Sequence, residues 1–275
     1  MRKANSLVIL AVAIVLALGW IQVSAAAEST RVSPALDRIL AKKELVVGTA
    51  ANMPPLNMTT KDGQIIGMEI DIAFMIASGL DVKVTFKPMH FNELLPALEA
   101  GQVDMILSGM TITTSRNLRV AFAGPYFISG KSILVKEANV SSLDSISKMD
   151  SPDKVLVALK GSTSQFFVER FMPKAKLVLA DDYDQAVAMV RQDKALAMVA
   201  DYPICIVSVN RYLNEKLTTL KKPLSYEGVG IALPANDPLL VNVVQNFLNA
   251  MEKSGELENV TQRWFYDTSW MSRLP

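Results

Sequence analysis

The chain has 275 residues, 50% of them hydrophobic, with 28 basic and 27 acidic side chains. So even a balance speaks against a partner held by bulk charge, and neither nucleic acid nor an anionic membrane is expected. A single histidine (His90) and a single cysteine (Cys205) exclude the usual clustered zinc sites and an internal disulfide. The fold must therefore hold by core packing, with no metal or cofactor expected.

Residues 1–27 read as a secretory leader. Arg2 and Lys3 make a positive start, residues 7–21 are uninterruptedly apolar, and Ser24-Ala25-Ala26-Ala27 supplies small residues for cleavage. The apolar run of about 15 residues falls short of the roughly 20 needed to span a bilayer. Export to the periplasm through a cleavable signal peptide follows as the expectation, leaving a chain of about −1 net charge.

In chain order, residues 36–40 read as a short helix and residues 45–48 as a first strand. The loop at 50–56 carries Pro54 and Pro55, which fix the backbone and exclude helix. Asp62-Gly63 is a hairpin-type turn. Residues 67–80 place Ile70, Phe74, Ala77 and Leu80 at helical spacing, with Asp71 on the polar side. Residues 82–86 alternate as a strand. Phe91, Leu94, Leu95 and Leu98 then repeat the pattern of an amphipathic helix, which Gly101 ends. Residues 103–107 read as a strand buried on both faces.

The stretch from Ser108 to Arg116 lies just past that strand, where ligands of open α/β sheets collect. Gly109 permits close approach to the backbone, and Thr111 and Thr113 can each donate an O–H. Arg116 offers a planar fork of donors that matches a carboxylate. A polar loop with a solvated arginine is the plain alternative.

Residues 122–130 are extended, aromatic and punctuated by proline and glycine, which suits a crossing into a second domain. A strand follows at 132–136, and another buried strand at 155–159. Gly161-Ser162-Thr163-Ser164 opens the next helix, an arrangement of N–H groups suited to an anion. Ala186, Val187 and Val190 mark a helix, and residues 195–199 a strand ending at Ala200-Asp201-Tyr202. Residues 226–234 form a second glycine-bearing crossing. A helix at 240–251 stops at Ser254-Gly255, and a last helix covers 257–265. This alternation gives an α/β fold with largely parallel sheets. The two crossings imply a middle domain, residues 129–228, inserted into a discontinuous first one, residues 36–128 and 229–270.

These motifs resemble the periplasmic amino-acid-binding proteins of ABC importers, solute-binding protein family 3, of the glutamine/histidine/arginine type. The resemblance covers about residues 45–265. It rests on Gly67-Met-Glu-Ile-Asp71, Phe91-Asn-Glu-Leu-Leu-Pro, the 101–113 block with Arg116, Val120-Ala-Phe-Ala-Gly-Pro-Tyr126, Lys160-Gly161-Ser-Thr163 and Gly230-Ile-Ala-Leu-Pro. It implies a periplasmic-binding-protein-like (type II) fold, with two α/β lobes on a two-strand hinge that close on one free amino acid. The implied partner is an inner-membrane ABC permease with its ATPase, served by a monomer.

Carried over by motif, Arg116 would clamp the ligand α-carboxylate, helped by Thr111 and the backbone N–H of Thr163. Asp201 would take the α-ammonium together with the carbonyl of Gly109, while Phe91 and Met53 would pack against the ligand's side chain. Where the family usually reads Tyr-Pro-Pro-Phe, this chain has Met53-Pro54-Pro55-Leu56. The side-chain end of the site therefore looks rebuilt and more apolar. Two other classes share the fold: a secreted lyase of the cyclohexadienyl-dehydratase type, and a ligand-sensing module. Neither has a residue pattern that speaks for it, because no acid–base or Cys–His spacing stands out.

Overall fold

Apolar runs of five or six residues, too short for a buried helix, alternate here with longer amphipathic ones, so strands and helices take turns along the chain. The structure, a computed structural model, describes residues 33–144 and 146–275; the leader expected at 1–27 lies outside them. Helix α1 (Pro34–Lys42) leads into β1 (Glu44–Thr49), and three short strands follow: β2 (Asn52–Met53), β3 (Asn57–Thr59) and β4 (Ile65–Ile66). Next come α2 (Met68–Gly79), β5 (Lys83–Pro88), α3 (Phe91–Glu99), β6 (Met105–Ile106), α4 (Thr114–Asn117) and β7 (Ala121–Ser129).

Past Gly130 the chain continues as β8 (Lys131–Lys136), a 3-10 segment (Glu137–Asp144) and α5 (Ile146–Met149). Then β9 (Val155–Leu159), α6 (Thr163–Phe171), β10 (Lys176–Ala180), α7 (Tyr183–Arg191), β11 (Ala197–Asp201) and α8 (Tyr202–Arg211) alternate. Strand β12 (Leu217–Thr219) precedes β13 (Glu227–Leu233), and α9 (Pro238–Ser254) and α10 (Glu256–Phe265) follow.

The strands form two five-stranded sheets, β5-β1-β6-β13-β7 and β10-β9-β11-β8-β12. Their plans match. In each, three parallel strands abut one antiparallel strand, β13 in the first sheet and β8 in the second. The two crossings are β7, running through Gly130 into β8, and the return into β13. Strands β7 and β13 pair antiparallel, from Glu227 opposite Ser129 to Leu233 opposite Ala121.

Some sequence expectations need correction. The 50–56 loop contains β2, which pairs with β3 and, through it, with β4 in a small third sheet. On α2 the expected Ile70 and Ala77 are buried together with Met68, Ile72, Ala73 and Ile76, whereas Phe74 is 54% exposed and meets Phe86 edge-on. Asp71 is not simply on a polar side: its Oδ2 accepts from Trp264 Nε1 at 2.8 Å. Periodicity left β10, α8 and β12 unassigned.

One buried carboxylate ties the start of the described chain to its last third. Asp237 Oδ1 accepts from Ser33 Oγ (2.6 Å) and Leu240 N (3.0 Å), and its Oδ2 accepts from Ala35 N (2.8 Å) and Leu36 N (3.0 Å). It thereby satisfies the open N-termini of α1 and α9 together. Asp237→Ala strands all four donors, and the expected loss is about 2–4 kcal/mol in denaturant unfolding.

Candidate functional site

The loop after β6 is shaped from beneath. Glu69, in the first turn of α2, is fully buried, and its Oε1 accepts from the Gly109 N–H at 2.7 Å and from the Tyr126 hydroxyl. Its Oε2 accepts from Asn57 Nδ2 at 2.6 Å. Burial raises this carboxyl above its ordinary 4.5, with the three donors acting in the opposite sense. Gly109 has φ +62°, and a Cβ there would lie 2.4 Å from Met53 Sδ. Only glycine suits that combination. Met53 is thus packed on Gly109, on the first-sheet side.

Beyond Gly109, Thr111 bridges to Val229 of β13, and Ile112 N donates to Gly228 O at 2.8 Å. Thr113 accepts from Arg116 N at 3.2 Å, so it caps α4. These contacts aim Arg116 inward. Its guanidinium is buried and donates from Nη1 to Thr111 O (2.8 Å) and from Nη2 to Gly161 O (3.2 Å) at the head of α6. Phe91 stands beside it, with Cζ 5.5 Å from the ring centroid. Burial draws the guanidinium below its usual value against the pull of Asp201, Glu227 and Tyr183, and the group stays cationic.

From the second sheet, Ser162 caps α6 and leaves Thr163 facing Thr111, with hydroxyls 3.4 Å apart. Both threonines donate to Glu227 Oε2 at 3.2 Å. Asp201, at the carboxyl end of β11, accepts from Lys131 Nζ at 2.7 Å and from the Tyr183 hydroxyl at 3.4 Å. Lys131, 1% exposed, also sits 3.0 Å from Glu227 Oε2. Burial pushes the Glu227 carboxyl up, but the Lys131 ammonium with the Ser225 and Thr163 hydroxyls outweighs it and holds the group low.

Arg116, Thr111, Thr163 and Asp201 thus belong to one network, with Phe91 at its border and Gly109 and Met53 forming the wall behind. Asp201 already has a cationic partner within the chain. Sequence reasoning missed Lys131, Glu227, Tyr183 and Glu69. The one available signal was a lysine immediately before the apolar run of β8. Cavities open among these elements: about 350 Å³ beside Phe91, Arg116 and Gly161, about 260 Å³ between Ala50, Pro54 and Tyr183, and about 470 Å³ beside Phe127, Tyr202 and Trp264. His90 is exposed, with Nδ1 3.4 Å from Asp181 O. The Cys205 thiol is buried, which pushes it up to about 12. Among the described residues no group of His, Cys, Asp and Glu is arranged for a metal, and no helix is long and apolar enough to cross a membrane.

Residues 45–267 match the family described as bacterial extracellular solute-binding proteins, family 3. The chain is 31% identical over 205 residues to the ABC transporter glutamine-binding protein GlnH of Bacillus subtilis (strain 168), covering 74% of this chain and 73% of that one. Among solved structures it resembles the ancestral amino acid-binding protein AncCDT-1, a precursor of cyclohexadienyl dehydratase. There the TM-score is 0.77 at 34% identity, over 84% of this chain and 99% of that one. An ancestral arginine-binding protein bound to glutamine gives TM-score 0.77 at 32% identity, over 82% of this chain and 99% of that one. The type II periplasmic-binding fold expected from sequence is the fold of these neighbours.

The raised carboxyl of Glu69 sets a pH dependence. The folded chain keeps this proton to higher pH than the unfolded chain does, so the contribution of Glu69 to stability falls as pH rises above about 4.5. Glu69→Gln cannot ionise. Its stability relative to the native protein is expected to improve as pH rises above about 4.5 and to level off once the buried carboxyl has ionised, as read by denaturant titrations at a series of pH values.

Proposed function

Because the chain belongs to the bacterial extracellular solute-binding proteins, family 3, we propose that it captures one amino acid by closure of two lobes and delivers it to an ABC-type permease. The ligand carries a polar or moderately apolar side chain. Residues 36–128 and 229–270 form one lobe, residues 129–228 the other, and the paired crossings through β7 and β13 are the hinge. Residues 1–27 direct export to the periplasm, where the chain works as a monomer and as a carrier, not a catalyst.

The observation that carries this reading is the buried Arg116 guanidinium. It rises from the loop after β6, touches Gly161 O at the head of α6 and faces Asp201 and Glu227. A zwitterion brings two charges that are costly to desolvate, and each must meet a partner once water leaves. In this reading Arg116 holds the α-carboxylate with its remaining N–H groups, Thr111 and the Thr163 N–H assist, and Asp201 with the Gly109 carbonyl receives the α-ammonium. Phe91 and Met53 line the side-chain end. Since the partners come from both lobes, full pairing exists only when they close, which couples binding to motion. Glutamine- and arginine-binding relatives on this fold support the amino-acid class.

Calorimetry against the twenty amino acids is expected to find one or a few ligands, and Arg116→Ala to weaken them by about 30-fold or more, as loss of one member of a buried charge pair does. Undiminished binding by Arg116→Ala would refute the clamp. Steady product formation from prephenate or arogenate would establish the lyase instead.

A further inference from the structure

Four ionisable groups meet where the two sheets face one another: Arg116, Lys131, Asp201 and Glu227. Two are cations and two are carboxylates. Glu69 stands apart from this set, beneath the Gly109 loop, with its oxygens committed to Gly109, Tyr126 and Asn57. These four groups at the centre of the crevice therefore sum to no net charge before any ligand arrives. An amino acid of no net charge can enter without leaving a buried charge unbalanced, whereas a cationic side chain adds one that no group answers.

The pair at the centre of this balance is held by backbone. Gly130 crosses so close to Ser225 that a Cβ on it would lie 1.8 Å from Ser225 O. Lys131 N donates to Ser225 Oγ at 3.0 Å, and that hydroxyl donates to Glu227 Oε1 at 2.9 Å. One serine thus fixes both the lysine's backbone and the carboxylate its ammonium meets. Lys131 Nζ also takes Asp201 Oδ1, the acid assigned above to the ligand's ammonium. The lysine supplies from within the chain the positive charge that a cationic ligand would bring.

We propose that Lys131 is a specificity-determining residue, which neutralises one of two crevice carboxylates and so restricts the site to amino acids without net charge. This rests on the amino-acid reading above and narrows it. The mechanism is rejection by charge: the contacts to the ligand's backbone stay the same, and the like-charged neighbour raises the cost of arginine or lysine.

The experiment measures glutamine, methionine, arginine and lysine by calorimetry on the full-length exported protein and on Lys131→Met, Glu227→Gln and the double variant, each first checked by thermal melting. The native protein is expected to favour the uncharged ligands. Lys131→Met should shift the ratio of arginine to glutamine affinity at least about tenfold toward arginine. Glu227→Gln should move it the other way, and the double variant, losing one charge of each sign, should return it to the native value. If Lys131→Met does not fold, Glu227→Gln and the double variant still test the sign. Native preference for arginine or lysine, or a ratio indifferent to these substitutions, overturns the inference while leaving amino-acid capture intact. Absence of binding to every amino acid would sink the capture reading itself.

Discussion

Charge taken out of water must find charge or a dipole to answer it, and that demand organises the middle of this molecule. Lys131, Arg116 and Asp201 are all buried, and Glu227 is largely so. Each sheet contributes one cation and one carboxylate: Arg116 rises from the loop after β6 and Glu227 opens β13 in the first, while Lys131 opens β8 and Asp201 closes β11 in the second. Lys131 pairs with Asp201 inside the second sheet and also reaches Glu227 on the first, so one ammonium links the charges of both. That contact ties the electrostatics of the site to the approach of the two sheets.

The backbone delivers these groups by the same device twice. In each sheet a short buried strand ends facing the crevice and hands over to a glycine-bearing turn or a helix start. The antiparallel strand beside it brings the partner charge, Glu227 on β13 and Lys131 on β8. Glu69 then holds the turn itself in shape, by taking the Gly109 N–H that would otherwise be left unpaired. A carboxylate with no cation partner is tolerated there because three donors converge on it.

Sequence periodicity found most helices and the central strands because one-sided burial writes a regular pattern into the chain. On α2 it misplaced Phe74, which keeps helical spacing with the buried Ile70 and Ala77 yet leans outward on the edge strand's Phe86. Arg116 could be singled out because it follows a buried strand, and Asp201 through the family resemblance. Their partners could not. Glu69 and Gly109 lie 40 positions apart, and Lys131 and Asp201 lie 70 apart. Pairings at such range leave no local period, and only the folded register of β8 against β11 reveals them. The expectation that Asp201 awaits a ligand missed the ammonium already beside it.

Cys205 illustrates how burial can make a reactive atom harmless. A chain of an extracellular family with one thiol risks mispairing with a neighbour's sulfur wherever oxidants abound. The attacking species is the thiolate, and with the thiol pushed up to about 12, on the order of one molecule in 100,000 carries it at pH 7. The sulfur, on the inner face of α8, is buried against β8 and β12 as well as un-ionised, so the lone cysteine behaves as a small oily side chain, and covalent cross-linking through it is shut off at the source.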